Sequence, residues 1–340
     1  MMKTFAHAAA TDCGQIGRTR LPLLNWLGGL ALMALSAVCL AQGYPSKTMR
    51  LVVPFPPAGP TDITGRLIAQ KFSESSGQTV IVDNRVGGAT IIGTEFVVKS
   101  APDGHTMLLM PVQVAINPSM FAKLPYDTLT DLTGVTQLTN QPYILIAHPS
   151  VPFRTVQELI AAAKANPGSV RCGSSGVGGG NHLACEMFNK MAGTQITHVP
   201  YKGAAPAMND TIGGQVEIYM PNPIMAMQHV KSGRVRAIAI TGSKRISLLP
   251  DLPTIAEGGI VGYDAGVWMG LFVPSATPRD LVRRIHQETL KILQLPDVRK
   301  NLTAEGGEIV GSTPEQFAQF MKAEVQKWGE IVKFSGAKAE

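Results

Sequence analysis

Charge is scarce in this chain. Only 16% of its 340 residues are Asp, Glu, Lys or Arg, and aromatics make up 6%. After position 41 the basic residues stand in ones and twos, such as Lys244–Arg245 and Arg283–Arg284, with no basic run interleaved with aromatics. That composition excludes the electrostatic footprint of a nucleic-acid binder. Cysteine is rarer still, four in all, so a disulfide-dense scaffold is excluded. The seven histidines show no metal-ligand spacing, and no two stand four apart on one helix pattern. There is no low-complexity tract and no short-period repeat. Past residue 41 no apolar run is long enough to span a bilayer. Neither metal nor cofactor is expected.

What is present is apolar and ordered in pattern. The chain is 45% hydrophobic, ample for one large or two medium domains. The first 41 residues stand apart. Lys3, Arg18 and Arg20 precede "LPLLNWLGGLALMALSAVCLA", and a small residue ends the run. This reads as a secretory signal peptide over 1–41, cut near Ala41. Pro22, Asn25 and Gly28–Gly29 weaken a membrane-anchor reading, and Val38 before Cys39 disfavours a lipoprotein signal. Removal of three basic and one acidic residue lowers the net charge from +6 to +4. An exported, soluble protein follows. Cys172 and Cys185 remain in it. We expect two buried thiols, Cys172 ending a strand and Cys185 one turn into a helix.

From Arg50 to about Thr241, short apolar runs alternate with helical patterns. Strands are expected at Leu51–Phe55, Val80–Asp83, Met107–Met110, Ile144–Ala147, Val170–Gly173, Ile196–Pro200, Val216–Tyr219 and Val235–Ile240. "TDITGRLIAQKFSESSG" puts Ile63, Leu67, Ile68 and Phe72 on one face and stops at Gly77. "RTVQELIAAAKANPG" opens on a capping box, Thr155 to Glu158. Thr277 and Thr313 each precede a proline at a first helical position, and Gln316 completes a second box. The last helix lines up Phe317, Phe320, Met321, Val325, Trp328 and Ile331 as core. The fold class is α/β with mainly parallel sheets. Val135–Pro149 and Val267–Pro274 are candidates for crossing between two lobes.

Two strand-to-helix junctions are unusually bare: "LVVPFPPAGPTDITGR", Leu51 to Arg66, and "VRCGSSGVGGGNHLACEMF", Val170 to Phe188. In open α/β sheets the ligand crevice lies beyond the carboxyl ends of strands. Helix N-termini there offer unpaired N–H groups and positive dipole ends. Small residues let an anion approach the backbone, and prolines limit the entropy lost on binding. We expect Thr61 or Asp62 to cap the first helix and Asn181 the second.

Enzyme motifs fail. "GVGGGN" has Asn181 where a dinucleotide loop needs its third glycine. "GPTDITGR" lacks Gly-Lys-Ser/Thr, and "GSSGV" breaks the nucleophile elbow at Val177. An exported hydrolase with Ser174 as nucleophile and His182 as base is the rival reading. A histidine bonded to backbone is the commoner outcome. A ligand-dependent sensory receptor is a third.

At these residues the sequence resembles a known family. "YPSKTMRLVVPFPPAGPTDITGRLIAQ", "VDNRVGGATIIGTEFV", "APDGHTMLLM", "INPSMFAKLPYD", "HVPYKGAAPAMNDTIGGQVE" and "GSTPEQFAQFMKAEVQKWGEIVK" are similar to the Bug-type substrate-binding receptors of tripartite tricarboxylate transporters. The likeness covers Tyr44 to about Gly336. It implies a periplasmic, two-lobed, hinged clamshell with no catalysis, holding a small carboxylate largely through backbone and ordered water. It also implies delivery to membrane permease subunits; a monomer is the default for a receptor that opens and shuts. The lobes would be 42–142 with 268–340, and 143–267. By position, the family's first loop falls on Phe55, Pro56, Pro57, Ala58, Gly59, Pro60, Thr61 and Asp62. The second falls on Ser174, Ser175, Gly176, Val177, Gly178, Gly179, Gly180, Asn181 and His182. Two departures stand out. Gly179 replaces a Ser or Thr donor, and Pro221, beside Asn222, replaces an Asp that suits an ammonium. The latter argues against an amino-acid ligand. Met220, Met225 and Met227 either make that wall apolar or simply fill helix and core.

Overall fold

The computed structural model describes residues 44–304 and 306–338. The signal-peptide reading lies outside them. By contacts the chain divides into Met1–Ser46 and Lys47–Glu340, and the architecture below belongs to the second unit.

Two sheets organise it. The first has the order β11-β4-β10-β3-β1-β2, with β1 at Met49–Val53, β2 at Val80–Asn84, β3 at Thr106–Pro111, β4 at Leu132–Pro142, β10 at Gly266–Pro274 and β11 at Glu308–Ile309. The second runs β7-β6-β8-β5-β9, with β5 at Ile144–Ala147, β6 at Arg171–Ser174, β7 at Thr197–Pro200, β8 at Ile218–Tyr219 and β9 at Arg236–Ile240. β1, β2 and β3 are parallel, as are β6, β7 and β8. Antiparallel pairing enters beside the passages between the sheets, β10 against β3 and β4 and β5 against β8 and β9, and at the edge, β11 against β4. Both sheets are therefore mixed, with one strand direction predominating. Strands β1 and β3 sit between neighbours in the sheet, so both are largely apolar; Arg50 alone breaks the buried run of β1.

Helix α1 spans Pro60–Ser76 and stops at Gly77, whose φ of 69° only glycine adopts freely. Gly65 lets it settle on the sheet, since a Cβ there would lie 3.0 Å from Val53 and 3.3 Å from Leu109. Three helices of the second region matter below: α4 at Val156–Ala165, α5 at Gly180–Ala192 and α7 at Pro223–Lys231. Helix α2 is Ile91–Val98, α3 Gln113–Met120, α6 Ala204–Ile212, α8 Arg279–Gln294, α9 Pro296–Thr303 and α10 Pro314–Ser335. Thr155 accepts from Glu158 N–H at the start of α4, and the Thr313–Gln316 box caps α10 reciprocally. Thr277 does not cap α8, which has Pro278 at its N-cap.

The stripe on α10 is core. Phe317, Met321, Trp328 and Ile331 are buried, with Phe320 and Val325 packed beside them. Trp268 meets Phe317 and Phe320 edge-on, and the indoles of Trp268 and Trp328 both donate to Glu324 Oε2, at 2.7 and 2.8 Å. Helix α10 packs on α3 and on α5, so it touches elements of both sheets.

Tyr143 is the single residue between β4 and β5. The return runs from β9 through Thr241 to β10. Thr241 is fully buried and fastens the two passages together. Tyr143 N–H donates to its hydroxyl, which in turn donates to Ala265 O. The second crossing candidate, Val267–Pro274, is instead a strand of the first sheet, inside β10; the passage lies ahead of it, between Ile240 and Gly266. Among the described residues no helix is long and apolar enough to cross a membrane.

Candidate functional site

Both bare junctions lead to one cleft of about 840 Å³ between the sheets. Of the residues singled out from sequence, Phe55, Thr61, Gly179, Gly180, Asn181 and Asn222 line it, together with Pro60 and Ser175. Pro57, Ala58, Gly59, Asp62, Ser174, Gly178, His182 and Pro221 stand outside the lining and bear on the loops in other ways.

Asp62 is a brace. Its carboxylate, 1% exposed, accepts from Ala58 N–H at 2.9 Å, Arg66 Nε at 2.8 Å and Asn84 Nδ2 at 2.8 Å. Burial pushes its pKa up, but those hydrogen bonds outweigh burial and hold the carboxyl below its usual range. Asn84 also donates to Phe55 O. The first loop is thus tied down at both ends from beneath. Gly59, not Thr61 or Asp62, occupies the N-cap of α1, and no side chain caps that end. The proline at the first helical position removes one orphan donor, which leaves the Thr61 and Asp62 amides facing outward from the helix start.

The second loop is fastened in the same manner. Asn181 does not cap α5. Its Oδ1 accepts from the Ser175 amide and hydroxyl, at 3.3 and 3.1 Å, and its Nδ2 donates to Tyr219 Oη at 3.2 Å. Gly178 has a φ of 74°, a backbone that side-chain-bearing residues rarely adopt, so bareness at this point has a conformational cause. Gly179 is the N-cap of α5, with extended backbone and no side-chain cap.

The hydrolase pair is not assembled. Ser174 Oγ lies 2.5 Å from His198 Nε2 and also accepts from Gly176 N–H. His182 Nδ1 accepts from Gly178 N–H at 3.0 Å, and its ring stacks on His198 with centroids 3.7 Å apart. His182 is therefore the backbone-bonded histidine, and His198, which sequence reasoning passed over, is the partner of Ser174. Burial holds both imidazoles neutral down to a pKa of about 4, with mutual repulsion adding to this at His182.

Cys172 and Cys185 also differ from expectation. They are joined as a disulfide, with Cα atoms 6.7 Å apart. Strand β6 and helix α5 run back to back, which brings the two side chains together beneath the second loop. On the far wall Pro221 is buried, Asn222 accepts from Met225 N–H as the cap of α7, and Met225 lines the cleft. Met220 is buried and Met227 packs against the core.

Tyr143 and Tyr219 line the cleft as well. Neither stands in a motif. Tyr143 occupies the passage between sheets, and an aromatic in "NQPYILI", inside the stretch expected to cross, was the available signal. Among the described lining residues Arg66 is the one charged side chain, and no carboxylate faces the cleft. Two helix N-termini, amide and hydroxyl donors and apolar walls make it a place for an anion with an apolar body.

Comparison with known proteins agrees. Residues 64–337 match the family of tripartite tricarboxylate transporter receptors. BugT of Bordetella pertussis is 34% identical over 311 residues, 91% of this chain and 95% of its own. Rpa4515 of R. palustris, solved with adipate, is 33% identical, with a TM-score of 0.71 over 87% of this chain and 99% of its own. MatC from Rhodopseudomonas palustris, solved with bound malate, is 30% identical, with a TM-score of 0.68 over 85% and 100%. The match over most of the chain, on a two-lobed α/β frame, places this protein among the Bug-type receptors of the tripartite tricarboxylate transporter family.

Proposed function

We propose that this receptor captures a small carboxylate in the cleft, closes on it, and delivers it to the membrane permease of a tripartite tricarboxylate transporter. The observation that carries the reading is the convergence of the α1 and α5 N-termini on a cleft whose described lining contains no acidic side chain. A charge at one helix N-terminus gains about 0.3–1 kcal/mol, and each hydrogen bond to it about 1.5–3. Two such ends and a few donors reach about 8 kcal/mol, the micromolar range. The absence of an acid among those lining residues disfavours an ammonium, hence amino acids. Adipate and malate, the ligands of Rpa4515 and MatC, fit the same class.

In this reading the mature chain begins near residue 42, works in the periplasm as a monomer and performs no catalysis. Its lobes are 42–142 with 268–340, and 143–267, and they flex where Thr241 fastens the two passages. A thermal-shift screen of residues 42–340 against mono-, di- and tricarboxylates, amino acids and neutral analogues tests it. A ligand at a hundred times its Kd adds about 2.7 kcal/mol, or about 5 °C or more in Tm. Shifts from carboxylates are expected. Shifts from amino acids or neutral solutes alone would overturn the carboxylate class.

A further inference from the structure

Helix α5 begins without a side-chain donor, because its N-cap is Gly179. A hydroxyl nevertheless stands at that end. Tyr143 is only 6% exposed and its ring belongs to the core, yet it lines the cleft. Its phenol abuts the first residue of the helix so closely that a Cβ at Gly180 would collide with it, which is why Gly180 carries none. The backbone of Tyr143 is held on both sides, its N–H by Thr241 Oγ1 at 2.7 Å and its C=O by Thr241 N–H at 3.0 Å.

No group among the described residues hydrogen-bonds to this phenol. The hydroxyl is not sealed in the core: Tyr143 lines the cleft, so a partner for it comes from that side. Burial raises its pKa, with the charge of Tyr219 adding to this, so the oxygen keeps its proton. It offers that proton to an acceptor in the cleft. Tyr219 is placed alike. Its oxygen accepts from Asn181, which leaves its own proton for another acceptor, and burial pushes its pKa up to about 12.

We propose that Tyr143 is a ligand-binding donor: its phenol hydrogen-bonds the ligand carboxylate at the N-terminus of α5 and supplies, from the passage between the lobes, the hydroxyl that Gly179 lacks. This rests on the carboxylate reading above. It also links ligand to hinge, because the residue that grips the anion is the one the chain crosses on.

The test compares wild type, Tyr143→Phe and the double variant Tyr143→Phe/Gly179→Ser, each titrated calorimetrically with benzoate, malate, adipate and citrate. A Cβ at Gly179 would meet only ordinary contacts of 3.4–3.5 Å, so serine fits there. For every acid that binds wild type, Tyr143→Phe is expected to raise Kd about ten- to a hundred-fold. The ligand-free Tm should stay level or rise, since no protein hydrogen bond is removed. Serine at 179 should restore much of the loss. Equal affinity in wild type and Tyr143→Phe overturns this inference and leaves the receptor reading standing. A Tyr143→Phe protein that binds weakly only because its ligand-free Tm has dropped also overturns it. Silence of wild type towards all four acids overturns the carboxylate reading and this inference together.

Discussion

The Thr241 hydroxyl lies 2.7 Å from the amide of Tyr143 and 2.6 Å from the carbonyl of Ala265, so one buried side chain joins both passages between the sheets. Thr241→Val keeps the shape and removes both bonds. It leaves a buried N–H and a buried C=O poorly satisfied, at a cost of about 1–3 kcal/mol. Urea denaturation should show that loss with an unchanged m-value. A variant as stable as wild type would mean that the passages are held by the backbone ladder alone.

The stacked pair His182–His198 predicts acid lability. Both pKa values fall from the ordinary 6.5 to about 4 on folding. Between those values the unfolded chain binds more protons than the folded one, so stability falls as pH falls from 6.5 towards 4 and is flat above. Glu186, facing His182 Nε2 at 3.8 Å, works in the opposite sense, because burial raises its pKa against a hydrogen bond from Asn189. One carboxyl opposes two imidazoles, and Ser174 adds no charge. Denaturation at pH 7, 5 and 4 should show a steep decline in wild type and a shallower one in His198→Gln. Parallel declines would assign acid sensitivity elsewhere.

Much of this was legible in the sequence for identifiable reasons. The α/β alternation, the stop at Gly77 and the Thr313–Gln316 box rest on interactions within a few residues of one another. The two bare junctions were legible because proline and glycine act on their own backbone. Asp62 and Asn181 misled because their side chains fold back on the preceding loop, to Ala58 and to Ser175, instead of onto the helix amides. The Ser174–His198 contact and the phenol of Tyr143 depend on elements far apart in the chain. The disulfide was missed because the distance between β6 and α5 is a tertiary quantity.

Ala58 holds a φ of 65° without being glycine. Left-handed backbone costs an L-residue about 1–2 kcal/mol, against about 0.5–1 of extra unfolded-state entropy for glycine. Its amide bond to Asp62 needs no side chain. Ala58→Gly should therefore raise stability by about 0.5–1 kcal/mol, seen as a higher Tm, with ligand affinity within a factor of two. A lower Tm would mean that the methyl makes a contact worth more than the strain.

The Cys172–Cys185 disulfide closes a ring over 13 positions, and the whole second loop lies within it. A ring of about that size restricts the unfolded chain by about 3 kcal/mol in the chain-entropy model. Both sulfurs belong to residues no more than 1% exposed, so reduction should be slow in the folded state and fast once denaturant opens it. Cys172→Ala/Cys185→Ala should lose up to that amount, and the extra freedom falls where α5 presents its amides. Carboxylate affinity should then drop with stability, whereas Thr241→Val should lose stability with less effect on the anion contacts. Measuring Kd and unfolding free energy on both variants separates the two roles. Full affinity in the double-alanine variant would show that the Asn181, His182 and Ser174 contacts hold the loop without the disulfide.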